Sequence, residues 1–345
     1  MLKTAAFQSL TTVPNGTWQF AEGLNVIVGE NGMGKSHVLK ALYSILKTQS
    51  GRSEDLTKTN LEKSYAEKLA KVMRPESLGR LVKRKQGRDR CEIRLSMKQS
   101  KQSSAIGFAT NAKSQVDVLQ VPEATLTQSP VYLPTRELVT LCPWFLNLYD
   151  NYHLEFEETW RDTVSLLGAP SVKGARETRA AELLKPLEDA LGGKVEMDAH
   201  SGRFYLRVTG EGRMEMPLVA EGLRKFAMLA RLISTGVLLD KGYLFWDEPE
   251  TNLNPKLIKT LAQCIVNLAS QGIQVFIATH SLFLLREFEI LLGNRDHETP
   301  VPARYFSLSF EDQSVVVHQS DDLSNIGVIA SLEESLAQSD RYMDL

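Results

Sequence analysis

Eight consecutive residues, Gly29-Glu30-Asn31-Gly32-Met33-Gly34-Lys35-Ser36, set glycines ahead of a lysine and a hydroxyl at the spacing Gly-x-x-x-x-Gly-Lys-Ser. Glycine lets a backbone curl until successive N–H groups face an anion, and a helix starting behind such a loop adds the positive end of its dipole. These residue types suit the phosphates of a nucleotide. Glu30, Asn31, Gly32, Met33, Gly34 and His37 would line them along the loop and helix start, Lys35 would reach the β- and γ-phosphates, and the Ser36 hydroxyl would ligate Mg²⁺.

Two further constellations carry chemistry. Tyr243-Leu244-Phe245-Trp246-Asp247-Glu248 is an apolar run ending in paired carboxylates. Asp247 would hold the magnesium shell, and Glu248, aimed by a backbone turn, is the candidate general base for an attacking water. Gln274-Val275-Phe276-Ile277-Ala278-Thr279 is a second apolar run that ends at His280. One crossover helix separates it from Asp247, a connection that can set the two strand ends side by side, so His280 is a candidate for contact with the γ-phosphate or with the water.

The elements that must position these residues read as alternating strands and helices. Leu24 to Val28 leads into the glycine loop, and from Ser36 the spacing of Val38, Leu39, Leu42 and Ile45 is helical until Gln49-Ser50-Gly51. From Gly242 the order is strand (243–246), helix (256–270), strand (274–279), helix (282–291), the alternation of a parallel sheet with crossover helices. Between these ends lie a helix from Leu61 to Met73, strand-like segments at 91–97, 106–110 and 116–121, a mainly helical stretch from Arg136 to Leu191, and a hairpin from Lys194 to Thr209. A long helix follows from Glu221, and the acidic tail from Asp321 turns helical near its end.

The 345 residues balance 40 basic against 42 acidic side chains, a net charge that selects neither nucleic acid nor membrane as partner. Cys91, Cys142 and Cys264 are far apart and in no ligand-like spacing, which points to a reduced, cytoplasmic setting. The most apolar stretch, Phe226 to Leu239, is broken by Arg231, so no segment is expected to span a bilayer.

Taken together, the glycine loop, the sequence Asp-Glu-Pro-Glu-Thr-Asn-Leu-Asn-Pro at 247–255 and the strand-end histidine resemble the ABC-class ATPases. Within that class they resemble the RecF and OLD (AAA_15/AAA_21-type) group, which includes ATPase components of bacterial antiphage defence. The resemblance implies an α/β fold: a P-loop core with a mixed, mostly parallel sheet, flanking helices and an antiparallel β subdomain. It places the core at 1–50 and 210–320, a basic, mainly helical insertion at 51–102, β subdomain strands at 103–135, a helical lid or arm with a hairpin at 136–209, and a tail at 321–345. It also implies ATP and Mg²⁺ as cofactors, and an ATP-sandwiched dimer in which one subunit's signature segment caps its partner's nucleotide. The signature candidate is Leu218-Val219-Ala220-Glu221-Gly222-Leu223-Arg224-Lys225. Where the family commonly has serine this chain has Ala220, which leaves Gly222 and the helix N-terminus to meet the phosphate and makes slow or partner-dependent hydrolysis an expectation. Asn252 to Asn254 corresponds to the loop that crosses the dimer interface, and Arg136, after Val131-Tyr132, to the loop that senses the γ-phosphate.

Between Lys71 and Lys101 stand eleven lysines and arginines against three acidic residues. That excess suits a phosphate backbone, or else the solvated face of an insertion. The aromatic spacing from Trp144 to Trp160 fits one buried helix face or a subunit contact. Asp321-Asp322 lacks the companion acidic residues of a nuclease centre, and the 65 residues from 281 onward read as the end of the ATPase fold. The leading expectation is an oligomerising ATP switch or scaffold that controls a separate effector, a nuclease or toxin. A RecF-like DNA-repair ATPase is the alternative. A transporter subunit is disfavoured because Ser36 and Asp247 lie 211 residues apart.

Overall fold

A computed structural model describes residues 1–51, 56–83, 89–152, 154–240, 242–293, 300–327 and 329–344. The chain divides into two compact units: residues 1–130, 276–282 and 302–345 form the first, and residues 131–275 and 283–301 the second. Among the described residues no helix is long and apolar enough to cross a membrane.

In the first unit the chain opens with β1 (Leu2–Gln8), β2 (Gly16–Gln19) and β3 (Leu24–Gly29). Next come α1 (Lys35–Gln49), α2 (Lys58–Met73), β4 (Arg90–Met97), β5 (Ser104–Ala109) and β6 (Asp117–Gln120). β4 alternates buried with more exposed residues along its length, the mark of a sheet covered on one face. It lies at the centre of an antiparallel sheet of order β2-β1-β4-β5-β6. β3 is buried from Leu24 through Val28, as a strand covered on both faces must be. Its one polar residue, Asn25, is satisfied by Ala21, accepting from the Ala21 N–H at 2.8 Å and donating to the Ala21 carbonyl at 3.0 Å.

The second unit begins with β7 (Val131–Leu133), α3 (Phe145–Tyr152), α4 (Glu158–Leu167) and α5 (Ala175–Leu191). A three-stranded meander of β8 (Gly193–Met197), β9 (Phe204–Val208) and β10 (Gly212–Glu215) precedes α6 (Glu221–Ser234). Then come β11 (Tyr243–Asp247), α7 (Pro255–Ser270), β12 (Gln274–Thr279) and α8 (Leu282–Gly293). β11 runs parallel to β7, with Trp246 opposite Leu133, and the start of β12 joins it through the Gln274 N–H, which donates to the Gly242 carbonyl at 2.9 Å. Arg231, which interrupts the apolar run of α6, is buried. It donates to the carbonyls of Leu167 and Ala169 at 2.9 and 2.6 Å and to Ser171 Oγ at 2.9 Å, so it ties the end of α4 to α6.

The chain completes the first unit with β13 (Ala303–Glu311), β14 (Ser314–Ser320) and α9 (Ala330–Met343). β13 pairs parallel with β3 from Ala303↔Leu24 to Leu308↔Gly29, and antiparallel with β14. An aromatic core joins the two sheets of this unit. Trp18 stacks on Phe306 at 5.0 Å and meets the edge of Phe7 at 5.9 Å, while Phe20 packs on Phe276 at 5.2 Å.

Strand membership departs from the expected segments in two places. Residues 90–97 of the supposed helical insertion are β4, and the antiparallel sheet draws on β1 and β2 as well as on residues after 103, while β7 leaves it for β11. The strand-like segment at 91–97 is borne out as β4, with Cys91, Ile93, Leu95 and Met97 buried; what local pattern did not show is that it belongs to the antiparallel sheet and not to the insertion. Residues 144–160 form two helices rather than one. Phe145 is the buried hub, with Tyr149, Phe156 and Trp160 around it at ring distances of 5.8, 5.5 and 6.2 Å.

Candidate functional site

The structure brings the predicted residues together as two groups, one in each unit. In the first unit, α1 opens at Gly34, whose φ of 98° is left-handed and whose position carries no side-chain cap, so the first N–H groups of the helix are left for another acceptor. Lys35 is buried, and its ammonium turns back across the loop to donate to the carbonyls of Gly29 at 2.7 Å and Glu30 at 2.9 Å. Glu30, Asn31 and Gly32 are exposed, while Met33, Ser36 and His37 are half-buried. His37 Nδ1 shares a hydrogen bond with Thr11 Oγ1 at 2.8 Å, which fixes its ring against the segment after β1. His280, exposed at the end of β12, lines a cavity of about 440 Å³ with Val28, Gly29, Glu30, Asn31 and two residues of the C-terminal segment, Ile329 and Glu334. The turn after β12 is set by Thr279 Oγ1, which accepts from the Ser281 N–H at 3.0 Å.

In the second unit, Asp247 ends β11 and is nearly buried, and the Tyr132 hydroxyl of β7 lies 3.5 Å from its Oδ2. Burial, and then the Asp247 charge, raise the Tyr132 phenol well above its ordinary range, so it stays a neutral donor. Glu248 follows with a φ of 46°, and its carbonyl accepts from Thr251 Oγ1 at 2.9 Å and from Lys225 Nζ at 3.2 Å. Burial draws the Lys225 ammonium down to about 8 against the opposing pull of Glu250, Glu221, Glu248 and Asp247. Asn254 accepts from the Leu257 N–H at 3.0 Å and so caps α7, which gives this residue a structural task in its own subunit.

Three residues of this unit show what the sequence left hidden. A Cβ on Gly222 would lie 2.4 Å from the Asn252 carbonyl oxygen, so this glycine is required by the close approach of the loop after β11, apart from any contact with nucleotide. The N-cap of α6 is Ala220, without a side-chain hydrogen bond, which leaves that helix start open to an anion. Arg136 is exposed, whereas its neighbour Glu137 is buried and holds Arg224 of α6 at 3.0 Å, with Thr140 Oγ1 donating to it at 2.7 Å. Nothing in the sequence distinguished Glu137 from Arg136, because the pairing spans 87 residues.

Among the described residues, five side chains of the basic stretch form ion pairs at the surface. Arg84, Lys85 and Arg88 lie outside the described residues. Of the others, Lys71 pairs with Glu67, Arg80 with Glu76, Arg90 with Asp117, Arg94 with Glu92 and Lys98 with Glu22, at distances of 2.7 to 3.1 Å.

Comparison with known proteins gives the fold a setting. Residues 130–286 match the AAA_21 family, described as "AAA domain, putative AbiEii toxin, Type IV TA system", within the group to which the motifs pointed. No curated protein matches the chain significantly. Among solved structures, the Smc head bound to the C-winged helix domain of ScpA aligns at 13% identity with a TM-score of 0.57, covering 95% of this chain and 99% of its own. An Smc head domain with an extended coiled coil, bound to the C-terminal domain of ScpA and derived from Pyrococcus furiosus, aligns at 13% identity with a TM-score of 0.51 and 99% coverage of both chains. The fold is therefore the α/β fold of those Smc heads, with a mixed sheet and an antiparallel subdomain, as the motifs led one to expect.

Proposed function

We propose that this chain is an ATP-hydrolysing switch that assembles with a second copy of itself and controls a separate effector. The observation that carries the reading is the loop at Gly29–Ser36. A left-handed, uncapped Gly34 opens a 15-residue helix, and a buried lysine folds over the loop carbonyls beside a cavity lined by His280. Those features fit a triphosphate: the helix start offers N–H donors, and the ammonium already sits where phosphate oxygens can replace the two carbonyls.

In this reading Ser36 and Asp247 are the residues that would hold a Mg²⁺ accompanying ATP, and the ion would supply neutralisation of charge on the phosphates. Glu248 takes the proton of the attacking water, Tyr132 fixes the Asp247 carboxylate, and His280 holds the γ-phosphate or the water. Arg136 stays available as a nucleotide-proximal cation. The uncapped start of α6 meets the γ-phosphate of a partner copy, and the absence of a serine hydroxyl at Ala220 makes turnover slow.

The toxin and antitoxin wording of the matched family supports a place in bacterial defence, with a nuclease or toxin as effector. The two aligned Smc heads were each solved with a domain of ScpA, so heads of this fold hold other proteins. The DNA-repair alternative would use the same basic stretch, and binding to DNA that weakens steeply with salt would favour it.

The test is Glu248→Gln. This variant retains ATP binding, hydrolyses it at least a hundredfold more slowly, and accumulates as an oligomer in ATP and Mg²⁺, read by light scattering. Hydrolysis at the wild-type rate would remove Glu248 from the role of base.

A further inference from the structure

The turn that carries Glu248 is held from a distance. At a φ of 46° Glu248 occupies the left-handed region, which is unfavourable for an L side chain and persists only where its surroundings enforce it. Three donors converge on its carbonyl: the Thr251 N–H at 3.3 Å, Thr251 Oγ1 at 2.9 Å and Lys225 Nζ at 3.2 Å. Two of these come from the turn itself. The third comes from the second turn of α6, 23 residues earlier in the chain.

Lys225 is an expensive way to supply that donor. Its side chain is 1% exposed, and an ammonium removed from water costs several kcal/mol unless carboxylates and acceptors surround it. Glu250, itself 6% exposed, and Glu221, one helical turn before Lys225, provide the opposing charge together with Asp247 and Glu248. An apolar side chain at this position would pack in α6 without that cost. What the ammonium adds is a directed bond to the backbone of Glu248, made from the helix whose N-terminus carries the signature-like segment. The close approach of Gly222 to the Asn252 carbonyl makes a second contact between the same helix and the same loop.

We propose that Lys225 is a positioning residue: it holds the Glu248 backbone in its left-handed conformation and makes the aim of the carboxylate follow the position of α6. The proposal rests on the reading of Glu248 as the base. It links the helix that meets a partner's phosphate to the residue that activates water on its own side, so that hydrolysis answers to assembly.

The experiment compares full-length wild type with Lys225→Met, Lys225→Arg and Glu248→Gln. Single-turnover ATP hydrolysis, affinity for a fluorescent ATP analogue, and melting temperature are measured for each. Lys225→Met slows hydrolysis at least tenfold with affinity within threefold of wild type, and Lys225→Arg, which keeps a cationic donor, recovers at least a third of the rate. The proposal is overturned if Lys225→Met turns over like wild type, if Lys225→Arg is as slow as Lys225→Met, or if both lose affinity in step with their melting temperatures. Glu248→Gln separates the two claims. Turnover in that variant at the wild-type rate defeats the assignment of the base, whereas an inactive Glu248→Gln beside a fully active Lys225→Met defeats the role of Lys225 alone.

Discussion

The Glu137–Arg224 pair offers a quantitative test of how the second unit is held together. Glu137 is 1% exposed on its side chain and Arg224 20%, with 3.0 Å between the Arg224 nitrogen and Oε1. Exchanging Glu137 for Gln keeps the volume and removes the charge. Arg224 is then left with a neutral amide, and the Thr140 hydroxyl and N–H, at 2.7 and 3.2 Å, lose a charged acceptor. Stripping one member from a buried pair costs about 3–5 kcal/mol. Because a fifth of Arg224 reaches solvent, and Thr140 is only half-buried and can turn to water, the lower end applies, about 3 kcal/mol. The double variant Glu137→Gln with Arg224→Met removes the stranded cation, so the two losses overlap, with a coupling of about 1.5–3 kcal/mol. Urea unfolding followed by far-ultraviolet circular dichroism measures all four proteins. Additive losses, or a cost below about 1 kcal/mol for Glu137→Gln, would show that the pair is solvated and refute the argument.

Two further outcomes follow from the same unit. Gly222→Ala forces a methyl to within 2.4 Å of a backbone oxygen that cannot swing aside, so it destabilises by about 1–3 kcal/mol and shifts the loop at Asn252; a melting temperature equal to wild type counts against this. For Lys225 the folded value of about 8 lies below the ordinary 10.5, so the native state binds fewer protons than the unfolded chain between those limits. The destabilisation from the buried charge is therefore complete below pH 8 and is relieved as pH rises towards 10.5. Wild type gains stability relative to Lys225→Met over that window, and urea midpoints for both proteins at pH 7.5 and 9.5 measure the difference.

The part of the fold that local pattern controls was legible. The glycine loop, the run into Asp247 and the run into His280 each combine a buried strand with a polar terminus, and both apolar runs are strands in the structure, β11 and β12. What escaped notice depends on pairs distant in sequence. β4 was legible as a strand, but its place between β1 and β5, in the antiparallel sheet and not in a helical insertion, rests on pairings that no short window reveals. Lys225 read as the end of a signature segment, and only the fold shows its ammonium reaching the Glu248 carbonyl. Glu137 and Arg136 are adjacent and equally polar; the arginine is exposed, while the glutamate found a cation on another helix.

The pairing of β3 with β12 and β13 sets an order of events for a chain emerging from the ribosome. β3 and the loop behind it are made early, yet no neighbour of β3 in its sheet begins before Gln274, some 250 residues later. A strand buried on both faces has no stable resting place until its neighbours arrive, because closing so long a loop is unfavourable before the contacts that reward it exist. The nascent chain must carry this buried strand unpaired through most of synthesis. On the proposed function, nucleotide capture is therefore a late event in the life of the molecule, and a chain arrested before residue 274 would expose β3 to aggregation or to chaperones.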